Sequence, residues 1–188
     1  MLNIKLATVL AARLMKLLEP GLARVELRGE LRRAADRLAG GGDAGATGLP
    51  AVELLLLPLR EIAAGYGDLA AFDHYLGEMA ARPDLSPFIR LGTPRAYDQR
   101  RLIVTLPQHG EVICDLFTVP ATDEWTTALL YQTGSPAFVE GLERKAARLG
   151  LELQDNGLFR GDHSLLLHDE ADLFRWLKTP YRRPGERD

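Results

Sequence analysis

Apolar positions in the first 120 residues follow both helical and strand spacing. Apolar side chains recur every three or four residues over residues 2 to 18 and again over residues 68 to 82, which predicts two helices with a buried stripe. Shorter runs rich in leucine, isoleucine and valine predict strands; they read ARVEL, AVELLLLP, RLIVTLP and VICDLFTVP. The last two runs flank QHGE, a polar turn containing Gly110, and so predict a hairpin. This mixture of periods predicts an α+β fold.

The chain after residue 120 has a more helical pattern. Ser135 followed by Pro136 predicts the start of a helix that ends near Gly150, because serine caps free N–H groups and proline suits the first turn. Short strands are expected at LELQ, GLFRG and SLLLH, then a helix over DEADLFRWLK and a proline-bearing tail. The segment AGGGDAGATGLP, residues 39–50, is expected to form a loop. We therefore predict two domains, 1–120 and 121–188.

Composition narrows the class of protein. With 46% hydrophobic and 26% charged residues, the chain has the composition of a globular protein. The single cysteine, Cys114, permits no internal disulfide, and charged residues interrupt the apolar N-terminal stretch, so we expect a cytoplasmic protein with no membrane association. Residues 121–188 hold nine Lys and Arg against twelve Asp and Glu, and they carry the whole formal charge of −3. This balance argues against a strongly basic nucleic-acid-binding protein.

Two carboxylates within apolar strands are the first candidates for chemistry. Glu53 is the only acid in AVELLLLP, and Asp115 interrupts VICDLFTVP. Such an acid can occupy an edge position facing water, or the two can lie on neighbouring strands and point into one cleft. A second candidate is the segment 24–37, whose five arginines form either a solvated helix face or an anion-binding patch. Cys114 is expected to point into the core, and Trp125 and Trp176 are expected to pack on the apolar faces of helices rather than to stack on bases.

The order of motifs along the chain resembles the family X DNA polymerases, the polymerase-beta-like group. Five consecutive segments resemble the thumb of that family: the turn YQTGSPAF, the helix EGLERKAARLG, the run LELQDNGLF, the helix DEADLFRWLK and the tail TPYRRPGERD. Upstream, LLEPGLARVELRGELRR resembles the approach to its Gly-Ser-x-Arg-Arg motif, and VICDLFTVP resembles the strand with its third catalytic aspartate. The resemblance implies a nucleotidyltransferase palm, built as a mixed sheet with helices, followed by a small α/β thumb lobe.

The family's reaction transfers a nucleotide to a 3′-hydroxyl with two divalent cations about 3.5 to 4 Å apart. Its ligands are an Asp-x-Asp pair on one strand and a third aspartate on the next, because Mg²⁺ prefers hard oxygen donors. In this sequence the pair falls on Ala51 and Glu53, and the third position on Asp115. Ala51 has no donor, and Glu53 is one methylene longer than aspartate; Asp43 is a conceivable substitute on the glycine-rich loop. We expect no cofactor, and Mg or Mn at Glu53 and Asp115 only if the protein is active.

The nucleotide-binding motifs are altered as well. Gly-Ser-x-Arg-Arg becomes Gly29-Glu30-Leu31-Arg32-Arg33, which keeps both arginines but introduces an acid expected to repel a triphosphate. The turn that carries two aromatic residues in the family reads Tyr131-Gln132-Thr133-Gly134-Ser135. Positions matching its DNA contacts on the next helix are Val139, Glu140 and Glu143. The nucleotide-binding residues implied by the resemblance are Gly29, Arg32, Arg33, Tyr131, Thr133, Gly134 and Ser135.

These departures lead to three hypotheses. The preferred one is a catalytically degenerate polymerase-like protein, a component of a replication, repair or transcription complex that binds a protein partner and, weakly, DNA or RNA. The second is an active small DNA polymerase or nucleotidyltransferase that uses two divalent metals. The third is a purely structural partner with no nucleic acid, which the acidic thumb and the apolar Phe117 on the palm sheet favour.

Overall fold

The computed structural model describes residues 1–43, 48–59, 69–96 and 98–188. The expected loop over 39–50 and the expected helix over 68–82 lie partly outside these ranges. The α-helices are α1 (Ile4–Leu18), α2 (Gly29–Ala39), α3 (Ala70–Ala81), α4 (Trp125–Tyr131), α5 (Pro136–Arg148) and α6 (Glu170–Trp176). The strands are β1 (Leu22–Leu27), β2 (Val52–Pro58), β3 (Ile89–Gly92), β4 (Gln99–Leu106), β5 (Gly110–Thr118), β6 (Glu152–Gln154), β7 (Gly157–Arg160) and β8 (His163–Ser164).

The chain divides into two compact units, the first made of Met1–Leu27 with Ala46–Pro120. Its five strands form one mixed sheet in the order β1-β2-β5-β4-β3, in which β2 and β5 are parallel and the other pairs antiparallel. Leu54, Leu55 and Leu56 on β2 are all at most 2% exposed, so both faces of this strand are covered. That burial explains the continuous apolar run of AVELLLLP, because a strand buried on both faces does not alternate.

The predicted hairpin is present as β4 and β5. Leu106 pairs with Gly110 beside the turn, and Gly110 has a φ of +71°, a left-handed conformation that glycine adopts without strain. β5 is the central strand of the sheet, so the interpretation of Asp115 as an edge residue is wrong. The edge strands are β1 and β3, and β3 is a four-residue strand absent from the sequence-based elements.

The second unit comprises Arg28–Gly45 and Ala121–Asp188. Its core is built from α4, α5, α6 and the three-stranded sheet β6-β7-β8, with fully buried Leu130, Leu158 and Phe174. Ser135 caps α5 as predicted, since its Oγ accepts a hydrogen bond from the N–H of Phe138 at 3.2 Å, and Pro136 is the first helical residue. The strand expected at SLLLH is confined to His163–Ser164.

Helix α2 lies in the second unit, although its sequence position falls within the predicted 1–120 domain. It packs against the 3₁₀ turn Pro184–Glu186 of the tail, where the Gly185 N–H donates to the Asp36 carboxylate at 3.0 Å. A Cβ at position 185 would lie 2.7 Å from Cγ of Arg37, so the close approach requires glycine. The two units are therefore not contiguous in sequence. Within the part of the chain described here, every helix is too short or too polar to cross a bilayer.

Candidate functional site

The carboxylates predicted to share a cleft lie side by side on the sheet of the first unit. Glu53 on β2 is the register partner of Asp115 on β5, and Asp115 is also the register partner of Arg101 on β4. Since side chains at paired positions share one face of a sheet, these three residues form a row across three strands. The prediction that Glu53 and Asp115 occupy neighbouring strands is confirmed. Ala51 precedes the first residue of β2.

Arg101 occupies both oxygens of the Asp115 carboxylate. Its Nε donates to Oδ1 at 2.7 Å and its Nη2 to Oδ2 at 2.9 Å, a two-point arrangement suited to a planar guanidinium. The side chains of Arg101 and Asp115 are only 11% and 8% exposed. The hydrogen bond to Asp115 raises the pKa of Arg101 above its ordinary value, so the arginine remains charged. A fixed cation therefore neutralises the buried aspartate.

A glycine on the edge strand makes room for this arginine. Gly92 is the register partner of Arg101, and a Cβ at Gly92 would lie 2.8 Å from Cγ and 3.0 Å from Cδ of Arg101. The arginine stem thus passes over a position that lacks a side chain. Arg100, the neighbouring residue on β4, is ion-paired with Asp73 of α3. Both arginines of β4 have carboxylate partners.

The residues present do not fit a pair of divalent cations. Ala51 offers no oxygen, and both oxygens of Asp115 accept hydrogen bonds from Arg101. Within the described ranges, no three His, Cys, Asp or Glu side chains come together as a metal-binding group. Cys114 pairs in register with Val52 and Leu102 and is fully buried, and burial raises the pKa of its thiol to about 12.

In the second unit, the predicted nucleotide-binding residues do come together. The N–H of Gly29 donates to the carbonyl of Gln132 at 2.8 Å, which places the start of α2 against the Tyr131–Ser135 turn. Arg32 donates from Nη1 to Oγ1 of Thr133 at 3.1 Å, and Arg33 donates from Nη1 to the Thr133 carbonyl at 2.6 Å. The motifs Gly29–Arg33 and Tyr131–Ser135, which the resemblance assigns to nucleotide binding, are thus adjacent in the structure.

Both arginines of this motif are held by carboxylates of the same unit. Arg32 donates from Nη1 and Nη2 to Glu170 of α6, at 3.1 and 2.7 Å. Arg33 is paired with Glu30 on its own helix, and Glu30 also pairs with Arg37. The expectation that Glu30 repels a triphosphate did not include these two arginines, which balance the charge of the Glu30 carboxylate.

A buried arginine from the tail completes this network. Arg187 has no exposed surface; its Nη1 donates to Oε1 of Glu170, and its Nε and Nη2 donate to the Arg182 carbonyl at 3.0 and 2.9 Å. Burial alone would raise the pKa of Glu170, but hydrogen bonds from Arg32 and Arg187 outweigh burial and hold that pKa below its ordinary value. The Arg32–Glu170–Arg187 group joins α2, α6 and the tail, so it is an internal structural contact.

The remaining predicted site residues have structural contacts of their own. Ser135 caps α5, and its N–H donates to the Arg187 carbonyl at 2.8 Å. A Cβ at Gly134 would lie 3.0 Å from side-chain atoms of Phe138 and Val139, so glycine permits the close turn. The Tyr131 hydroxyl donates to Glu143 at 2.7 Å and also lies 3.0 Å from the Leu153 carbonyl, and burial raises its pKa. This hydroxyl is thereby held within the unit.

Sequence reasoning missed three ion-pair partners: Arg101 beside Asp115 in the first unit, and Glu170 and Arg187 in the second unit. The first could have been found from the hairpin, because Arg101 and Asp115 are equally distant from its turn and so must pair. Glu170 and Arg187 gave no comparable signal, since Glu170 is 138 residues from its partner Arg32 and 17 residues from its partner Arg187. Of the positions matched to the family's DNA contacts, Val139 is buried, Glu143 accepts a hydrogen bond from the Tyr131 hydroxyl, and Glu140 is exposed.

Comparison with known proteins agrees with this architecture. Residues 128–188 match the family model for the DNA polymerase beta thumb. The whole chain superposes on 76% of the chain of Leishmania infantum polymerase beta, crystallised as a ternary P/T complex, with 18% sequence identity and a TM-score of 0.68. The chain therefore has a family X, polymerase-beta-like fold, with a mixed-sheet palm lobe and a C-terminal region that resembles the polymerase beta thumb.

Proposed function

We propose that this chain is a catalytically degenerate family X polymerase-like protein. In this role it serves in the cytoplasm as a binding or assembly component of a replication, repair or transcription complex. The observation that carries the proposal is the Arg101–Asp115 ion pair. Asp115 matches the family's third metal-binding aspartate, and the Arg101 guanidinium is bonded to both of its carboxylate oxygens. Loss of a donor at Ala51 supports the same conclusion.

The second unit supports a role in assembly over one in nucleotide transfer. Arg32 and Arg33 lie within hydrogen-bonding distance of Glu170, Glu30 and Thr133, so a triphosphate would have to displace those partners. Such displacement would break the two hydrogen bonds between Arg32 and the buried Glu170 carboxylate, which opposes binding of the triphosphate. The retained fold and the internally neutralised arginines together favour a protein whose folded surface is bound by partner proteins.

Primer extension tests this proposal directly. We expect the wild-type chain, with a labelled primer-template, all four nucleotides and either Mg²⁺ or Mn²⁺, to incorporate no more nucleotide than a Glu53→Ala, Asp115→Ala double variant. Circular dichroism of both proteins controls for folding. Metal-dependent incorporation that disappears in the double variant would contradict the proposal and establish the active-enzyme alternative.

A further inference from the structure

A groove of about 360 Å³ opens on the second unit, away from the arginine network described above. Its apolar wall is formed by Leu149, Leu151 and the ring of Trp176. Trp176 is 37% exposed, so part of this side chain faces solvent. The charged rim consists of Arg160, Arg175 and Lys178, with Asp172 as its one acid. A large aromatic surface is thus open to solvent beside three cations.

The charges of this rim do not cancel. Asp172 is ion-paired with Arg175 of its own helix, and its other oxygen accepts the His168 N–H at 3.0 Å. In the part of the chain that the structure describes, neither Arg160 nor Lys178 has a carboxylate within 4.0 Å. The Arg160 guanidinium lies over the Trp176 ring, 5.4 Å from its centroid, a cation–π contact that holds the charge at the edge of the groove.

Lys178 occupies a backbone position that usually belongs to glycine. Its N–H donates to the carbonyl of Arg175 and the N–H of Thr179 donates to the carbonyl of Phe174, which is the Schellman pattern at the end of α6. Its φ is +49°, and it is the one non-glycine residue with positive φ in the described part of the chain. Lysine in this left-handed conformation is less favourable than glycine, so stability alone does not explain the residue. Its side chain adds a cation to the rim.

We propose that this groove docks an acidic peptide segment with one large apolar anchor residue. The anchor side chain fills the space between Leu151 and Trp176, and carboxylates on either side of the anchor pair with Arg160 and Lys178. This inference deepens the proposed assembly function by naming a partner's chemistry, and it uses none of the palm residues. A volume of this size lies at the lower end of the range for ligand pockets and accommodates one or two side chains.

The charge of the surrounding unit favours a peptide over a nucleic acid. The second unit, Arg28–Gly45 with Ala121–Asp188, holds 13 Lys and Arg against 15 Asp and Glu, so a polyanion extending beyond the groove meets net repulsion. A peptide with only two or three carboxylates near its anchor contacts the local cations alone. Moreover, Arg160 already covers one face of Trp176, which leaves less ring surface for a stacked base.

Selection from a random dodecapeptide library displayed on phage, with the full chain immobilised, tests the proposal. We expect enriched peptides to contain at least two acidic residues around an aromatic or large aliphatic residue. The labelled consensus peptide should bind the wild-type chain and bind Arg160→Glu or Trp176→Ala at least tenfold more weakly in fluorescence anisotropy. Arg13→Glu, the same charge change at an exposed position of the other unit, should leave binding unchanged.

Lys178→Gly separates a binding role from a folding role. This variant should bind the consensus peptide several-fold more weakly and yet unfold at a temperature no lower than that of the wild type. Enrichment of neutral or basic peptides, or peptide affinity unaffected by Trp176→Ala and Arg160→Glu, would overturn the proposal. Binding of a labelled twelve-residue oligothymidine that is lost in Arg160→Glu would also overturn it. None of these results depends on primer extension, so the two proposals fail independently.

Discussion

At the scale of single residues, Asp115 shows how an arginine can stabilise a buried acid. A carboxylate 6% exposed in a central strand requires a counter-charge, because an unpaired buried ion is strongly unfavourable. Arg101 supplies that charge from the facing position of the hairpin, and Gly92 leaves room for its stem. The aspartate is therefore explained by its partner, without reference to any reaction.

Removing this partner should destabilise the protein. We expect Arg101→Leu to lower the free energy of unfolding by about 3 to 5 kcal/mol, since Asp115 would remain buried without a counter-charge. The double variant Arg101→Leu, Asp115→Leu should recover most of this loss, because two apolar side chains need no compensation. Urea unfolding monitored by circular dichroism measures both values. A single variant within about 1 kcal/mol of the wild type would mean that the pair contributes little.

Glu30 illustrates the limit of residue-by-residue comparison with a family motif. The sequence shows an acid where the motif has serine and therefore suggests repulsion of an anionic ligand. In the structure, Glu30 pairs with Arg33 and Arg37 along one face of α2. The effect of a substitution depends on which neighbouring residues pair with the new side chain. The motif contains Arg33 but not Arg37, so it shows only one of the two partners of Glu30.

At the scale of elements, features set by neighbouring residues could be predicted from the sequence, whereas contacts between distant segments could not. The start of α5 at Ser135-Pro136 and the β4–β5 hairpin follow from local chemistry, and both predictions are confirmed. The edge strand β3 was missed because a four-residue strand with one arginine and one glycine has no clear alternation. The place of α2 beside the tail turn could not be read locally, since Asp36 and Gly185 are 149 residues apart.

The contact that joins α2, α6 and the tail should make stability depend on pH. The pKa of Glu170 is held below its ordinary value of 4.5 in the folded protein, so its contribution is complete above about pH 4.5 and is lost as the pH falls through the folded-state pKa. We expect the free energy of unfolding to decline in this acidic range. In Glu170→Gln the decline should be shallower, and the protein should be less stable at pH 7 because Arg187 loses its carboxylate.

Urea unfolding at a series of pH values from 3 to 7 measures this dependence. Glu140→Gln provides the matched control, because Glu140 is a 62% exposed acid on α5 paired only with Arg144. The control should keep the wild-type slope. Identical acid slopes for the wild type and Glu170→Gln would show that this carboxylate does not link folding to pH.

At the scale of the whole molecule, the uneven charge limits how strongly nucleic acid can bind. Sequence-independent affinity comes mainly from lysine and arginine contacts to phosphate, and residues 121–188 have a net negative charge. Several arginines that could make such contacts are already paired internally, among them Arg32, Arg33 and Arg101. Any nucleic-acid contact is therefore expected to be weak and electrostatic.

Fluorescence anisotropy with a labelled gapped duplex tests this expectation. We expect weak binding at 50 mM NaCl that falls at least tenfold by 200 mM, because displaced counterions oppose the complex as salt rises. Binding that is tight or insensitive to salt would contradict this electrostatic view. A complete absence of binding at low salt would favour the purely structural partner.

The ordered series of motifs was sufficient to predict the fold of the whole molecule but not the geometry of its sites. Turn residues, helix caps and apolar periods are local, so they survive in the sequence even when catalytic residues change. The positions of Glu53 and Asp115 on adjacent strands followed from the same pattern. The neutralising arginine and the glutamate of α6 did not, because their roles exist only once distant segments are packed together.

The guanidinium on Asp115 also constrains how this sequence can change. Replacing Arg101 first would leave a buried acid uncompensated, whereas introducing a carboxylate at position 51 first would leave the Asp115 oxygens already engaged. Each path to a metal-binding sequence therefore begins with a substitution that brings no gain. The ion pair therefore makes the residues at positions 101 and 115 interdependent, so neither is expected to change without the other.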